Sequence, residues 1–212
     1  MISRRLLLTA LSLPITAAAP LPVPAGDRLS FQVMRNGSAA GQHTITFERR
    51  GDALTVLVAT EIAAGAGPIA LFRYKHRAEV RWKSGQVVAA DADTNDNGAA
   101  EYMTARRDEN GLSIEGSRTP RYIAPPRSLP GTHWNRAMLD APFINTQDGR
   151  LMHPVVTFAG TERIEVVGGS VDARHYTLRG DINLDTFYDL GAVWAGLKST
   201  GKDGSEIKYL RA

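Results

Sequence analysis

From Leu29 onward the chain alternates apolar and polar residues with a period of two, the pattern of strands that bury one face. Leu29, Phe31 and Val33 open the pattern, and Asn36-Gly37 supplies a hairpin turn. His43, Ile45 and Phe47 continue it, followed after Gly51-Asp52 by Leu54, Val56, Val58 and Ile62. The longest example spans residues 69–83. There Phe72, Tyr74, His76, Ala78, Val80 and Trp82 share one parity, and Arg73, Lys75, Arg77, Glu79, Arg81 and Lys83 the other. A helix would scatter those charges around its axis, whereas a strand gathers them on one solvated face.

Further strands are predicted over 86–95, 99–107, 112–116, 155–159, 163–167, 171–179, 182–189, 193–200 and 207–210, with Gly- and Asn-containing turns between them. Residues 119–142 break the rhythm with Pro120, Pro125, Pro126, Pro130 and Pro142. Proline donates no ladder hydrogen bond, so this is a crossover segment rather than a central strand. Within it, 132–139 can form one short helix with Thr132 as N-cap. The fold class is therefore all-β: a large antiparallel meander that its own twist curls into an open or closed barrel, the Pro-rich segment lying over one end.

The first 25 residues differ from the rest. Arg4 and Arg5 precede an apolar run from Leu6 to Ala19 that is short for a membrane span, then prolines and Val23-Pro24-Ala25. This is a cleavable signal-peptide pattern, and the paired arginines resemble a twin-arginine export signal. A general secretory signal is the other reading. The expectation is a single β-rich domain over 26–212, periplasmic or secreted from a bacterium, with no stable membrane insertion after cleavage.

With Arg4 and Arg5 set aside, 23 Lys and Arg face 22 Asp and Glu, so the formal charge of +3 falls to near zero. No basic cluster is interleaved with aromatics, so no nucleic-acid partner is expected. Cysteine is absent, which excludes disulfides, thiolate nucleophiles and a lipoprotein anchor. There is no H-E-x-x-H, no G-x-S-x-G and no phosphate-binding glycine loop, so no cofactor is expected.

Three constellations could carry chemistry. Asp93, Asn95 and Asn97 before Gly98 match the start of a calcium loop, but Thr104 stands where a bidentate Glu belongs. The alternative is a plain Asn-Gly hairpin turn. A two-residue turn at Ser84-Gly85 would set Trp82 opposite Val87, Ala78 opposite Asp91, His76 opposite Asp93 and Tyr74 opposite Asn95, with Tyr102 beside Asp93. His76 with Asp91 or Asp93 would then form an acid–base pair; a one-residue slip would undo it. His133-Trp134-Asn135 places an imidazole and an indole in the Pro-rich segment, suited to a ligand cavity or to an aromatic plug.

Several stretches resemble a family of uncharacterised exported bacterial proteins, known as a domain of unknown function. They are residues 31–41 (FQVMRNGSAAG), 72–82, 94–98, His133-Trp134-Asn135 and 188–210 (YDLGAVWAGLKSTGKDGSEIKYL). The resemblance implies one β-rich periplasmic domain and transfers no activity. The leading expectation is non-enzymatic binding or carriage of a hydrophobic or amphipathic small molecule within the curled sheet. Its ligand-binding candidates are Phe72, Tyr74, His76, Trp82, Tyr102, His133 and Trp134, with an apolar pocket lined by Phe72, Tyr74, Val80 and Trp82. The alternatives are a hydrolase-type enzyme using His76 with Asp91 or Asp93, and an envelope assembly or interaction protein. Protein partners are not specified.

Overall fold

The computed structural model describes residues 21–66 and 69–212. The expected signal segment lies outside the described residues up to position 20. The strands are β1 (Arg28–Arg35), β2 (Ser38–Arg50), β3 (Ala53–Ala66), β4 (Ile69–Lys83), β5 (Gln86–Asp96), β6 (Ala99–Asp108), β7 (Gly111–Gly116) and β8 (Thr119–Ile123). After the crossover come β9 (Phe143–Ile144), β10 (Leu151–Met152), β11 (Val155–Val166), β12 (Gly169–Arg179), β13 (Leu184–Asp189), β14 (Trp194–Thr200) and β15 (Glu206–Arg211).

Thirteen strands form one antiparallel sheet in the order β11-β12-β13-β14-β15-β1-β2-β3-β4-β5-β6-β7-β8. Every neighbour is consecutive in sequence except β15 and β1, which pair from Phe31↔Arg211 to Arg35↔Ile207. The free edges are therefore β8 and β11, both from mid-chain. β8 is five residues long and carries Pro120, which blunts it as a template for further pairing. The parity read from the sequence holds in β4: His76, Ala78, Val80 and Trp82 are buried and the intervening Arg and Lys are exposed.

The crossover does not cap the sheet; it fills it. Trp134, Met138, Leu139, Phe143, Ile144 and Met152 join one core with Phe31, Ile45, Phe47, Val56, Val80 and Trp82. Trp134 packs edge-on against Phe47 and Trp82, with ring centroids 5.1 and 5.8 Å away. β9 and β10 pair with each other inside this plug. Gly116 lets the plug dock on β7: a Cβ there would lie 2.2 Å from the Asp148 carbonyl oxygen.

Three local expectations are corrected. The helix over 132–139 is a single 3-10 turn, Arg136–Asp140, and its cap is Asn135, whose Oδ1 accepts from the Ala137 N–H at 3.0 Å. His133 upstream has φ 63° and Pro142 follows, which leaves too few residues for an α-helix. The strands expected at 155–159 and 163–167 are one strand, because Gly160 marks a bulge rather than a turn. The β4–β5 register also contains a bulge, with Val88 as the extra residue.

The packed chain starts before Gly26. Leu21 and Val23 lie partly buried against the core and Pro24 is buried. A chain beginning at Gly26 is expected to be less stable than one beginning at Leu21 by roughly 1–3 kcal/mol. Urea denaturation of the two forms checks this; equal midpoints would show that the segment contributes nothing.

Candidate functional site

Directly opposed residues of four adjacent strands form a polar row on the inner face. His43 of β2 faces Thr60 of β3, Thr60 faces His76 of β4, and His76 faces Thr94 of β5. Each imidazole is held by a threonine hydroxyl: His43 Nδ1 lies 2.7 Å from Thr60 Oγ1, and His76 Nδ1 lies 2.8 Å from Thr94 Oγ1. The plug closes over the row. Thr146 Oγ1 approaches His76 Nε2 at 3.3 Å, and His133 stacks on Trp194 with ring centroids 5.2 Å apart. The Tyr188 hydroxyl donates to the His133 carbonyl oxygen at 2.7 Å, fixing that residue in its left-handed conformation.

Between the row and the plug lies a cavity of about 90 Å³, lined by the three histidines, Thr60, Thr146, Tyr74, Trp194, Leu197 and Tyr209 among others. Two imidazole nitrogens here, His43 Nε2 and His133 Nδ1, are buried without a hydrogen-bond partner among the described residues. Burial drives the His43 pKa down to about 3, with His133 and His76 adding to the effect. Burial likewise lowers His76 and His133 to about 4. It raises Tyr209 to about 12 and Tyr74 higher still. At neutral pH the chamber is therefore lined by uncharged hydrogen-bonding groups and apolar walls.

The bulge in β4–β5 decides what is missing from this chamber. Trp82 does face Val87, but Arg81 faces Ala89, so Val88 is an extra residue. From there the pairing is Ala78↔Ala92, His76↔Thr94 and Tyr74↔Asp96. Asp91 and Asp93 consequently lie opposite Glu79 and Arg77, on the outer face. Asp91 accepts from Arg81 at 3.0 Å and from Arg106 at 2.5 Å. The expected acid–base pair of His76 with Asp91 or Asp93 does not form. The hydrolase reading built on it is overturned.

The other expected residues separate into groups. Tyr74, His76 and His133 line the cavity. Trp82 and Trp134 are packed against each other in the core, and Val80 is buried with them, so the expected apolar pocket is filled by side chains. Phe72 lies under the Arg35 guanidinium, 5.3 Å from ring to cation. Tyr102 faces Asp93, as expected from the hairpin, but on the outer surface, where it is 41% exposed. Asn97 sits in the hairpin turn with φ 53°, and Asn95, near the end of β5, braces that turn by accepting from the Gly98 N–H at 2.8 Å. No three His, Asp or Glu side chains converge as metal ligands among the described residues. His43, Thr60, Thr94, Thr146, Trp194 and Tyr209 were missed by sequence reasoning. For His43 the signal was present, since it shares the parity of Ile45 and Phe47.

The profile of a domain of unknown function, DUF6134, matches residues 31–212. The chain belongs to the DUF6134 family. Comparison with curated proteins finds no significant match. Among solved structures, a β-barrel-like protein of domain of unknown function DUF1849 from Brucella abortus is similar in fold. It is 7% identical, with 87% of this chain and 94% of that one covered and a TM-score of 0.59. At that identity the likeness speaks for the barrel-like architecture of this DUF6134 domain alone.

Proposed function

We propose that this DUF6134 protein is a non-enzymatic binding protein that holds a small, uncharged, amphipathic molecule in the three-histidine chamber. The observation that carries this is a pair of buried imidazole nitrogens without hydrogen-bond partners, His43 Nε2 and His133 Nδ1, on two residues that line the cavity. An unpaired buried polar group costs about 1–3 kcal/mol, so a molecule that supplies both partners recovers that cost on binding. The chamber's neutrality disfavours ions, and Trp194 and Leu197 add apolar wall beside the hydroxyls and imidazoles. A wholly hydrophobic cargo is disfavoured because the plug occupies the apolar interior. The volume is far below the roughly 300–1,000 Å³ of drug-sized pockets, which restricts the ligand to a few heavy atoms. Export through the Arg4-Arg5 signal is part of this proposal and sets the binding in the periplasm.

Native mass spectrometry of protein purified from periplasm tests the reading. The expected result is an added mass that disappears on denaturation and is reduced in His43→Leu. A bare polypeptide mass, with no shift of the histidine ring resonances on titration with small alcohols and amides, would overturn it.

The sheet edge favours a second reading, an envelope interaction protein. β11 has one strand partner, and Val155 and Phe158 along it are 69% and 56% exposed. An unpaired edge with apolar side chains is a template for strand addition. That reading requires Phe158→Lys to weaken association with the envelope fraction, and an unchanged distribution would remove it.

A further inference from the structure

We propose that His133 is an acid-operated door to the chamber, its imidazole leaving the stack on Trp194 for solvent when it takes up a proton. This rests on the binding reading above and assigns the regulation of that site. His43 and His76 are each 6% exposed, whereas His133 is the chamber histidine that borders solvent while keeping Nδ1 sealed inside. It belongs to the plug, not to the sheet, so it can move without breaking a ladder. Its φ of 63° is uncommon for a residue other than glycine, and the Tyr188 hydrogen bond to its carbonyl holds that backbone while leaving the ring free to turn.

The groups around it offer an imidazolium no counter-charge. His43 from β2, Tyr74 and His76 from β4, Trp194 from β14 and Tyr209 from β15 line the same cavity. Tyr188 from β13 bonds its carbonyl. On its own segment, Arg136 and Asp140 are paired with each other at 3.0 Å. The attraction of a cation for the Trp194 face opposes departure. Burial without a counter-charge favours it, lowering the His133 pKa to about 4 in the closed state. The chain is anchored two residues upstream: the Gly131 N–H donates to the Ile144 carbonyl at 2.9 Å, and a Cβ at Gly131 would meet the Phe143 ring at 2.9 Å. That anchor keeps the rest of the plug seated while the door opens.

Hydrogen exchange of the ligand-free protein, corrected for intrinsic rates, tests the door without needing the ligand. Between pH 7 and pH 5.5, exchange at residues 132–134 is expected to rise about tenfold, given proton uptake near 6.5 when open and about 4 when closed. Peptides from β2 and β4 stay protected over that range. His133→Asn keeps a residue that tolerates the left-handed conformation but takes up no proton, and its exchange should stay flat. His133→Gln serves as a second non-titrating variant should the first fail to fold. The inference is overturned if the wild-type segment holds its protection until the strands lose theirs, or if the folded variants follow the wild type. Failure of the binding reading is seen separately, as a bare mass in the native spectrum.

Discussion

Between about pH 6.5 and pH 4.5 this protein is expected to lose most of its stability, with about three protons taken up on unfolding. His43, His76 and His133 are held neutral in the fold, at about 3, 4 and 4 against an ordinary 6.5. A base whose folded pKa is lowered is bound to fewer protons in the native state than in the unfolded one. Stability is therefore fully present above 6.5 and falls as the pH drops through that value toward the folded pKa. Three such groups give a slope of about 4 kcal/mol per pH unit near pH 5. Against a typical total of about 5–15 kcal/mol, that is a large share of the whole. Urea titrations at half-unit steps from pH 7.5 to 4.5 measure the slope. His43→Leu should reduce it by about one proton. A flat profile down to pH 5 would mean that the histidines are hydrated and the chamber is open.

Trp134→Ala is expected to cost about 3–5 kcal/mol, the range for removing a large buried aromatic. Trp134 is 1% exposed and is the plug residue that touches both Phe47 and Trp82. Its loss opens a void where plug and sheet meet, so the plug should loosen as a unit. Chemical denaturation of Trp134→Ala and Trp134→Phe gives the check, the Phe variant falling in between. A loss below about 1 kcal/mol would mean that the interior recollapses and that the plug is not what holds the sheet curled.

What could be read from the chain follows the strength of the local signal. From Arg73 to Lys83 the alternation in β4 is uninterrupted, with Arg and Lys at every odd position but Glu79, and the structure buries His76, Ala78, Val80 and Trp82 between them. In β5 the run Val87-Val88-Ala89-Ala90 has no polar residue to mark a parity. A bulge could sit there unseen, and it sent Asp91 and Asp93 to the wrong face of the expectation. The prolines of the crossover were legible as a departure from the sheet. Its burial inside the sheet was not, because Trp134, Met138, Leu139, Phe143 and Ile144 follow neither period. The chamber suffered most, since it is made by opposition across strands. Thr60 and Thr94 gain meaning only once His43 and His76 stand directly beside them.

The pairing of β1 with β15 has a temporal consequence. As the chain emerges from N- to C-terminus, β1 acquires β2 at once but keeps its other edge bare until β15 arrives. The seam of the sheet is thus sewn with the two strands farthest apart in sequence, and the loop-closure entropy of nearly the whole domain falls on that one step. Folding should be slow and committed late, with the plug and both flanking hairpin sets waiting on the final strand. Until then the bare edge of β1 is open to capture by chaperones or by a second nascent chain.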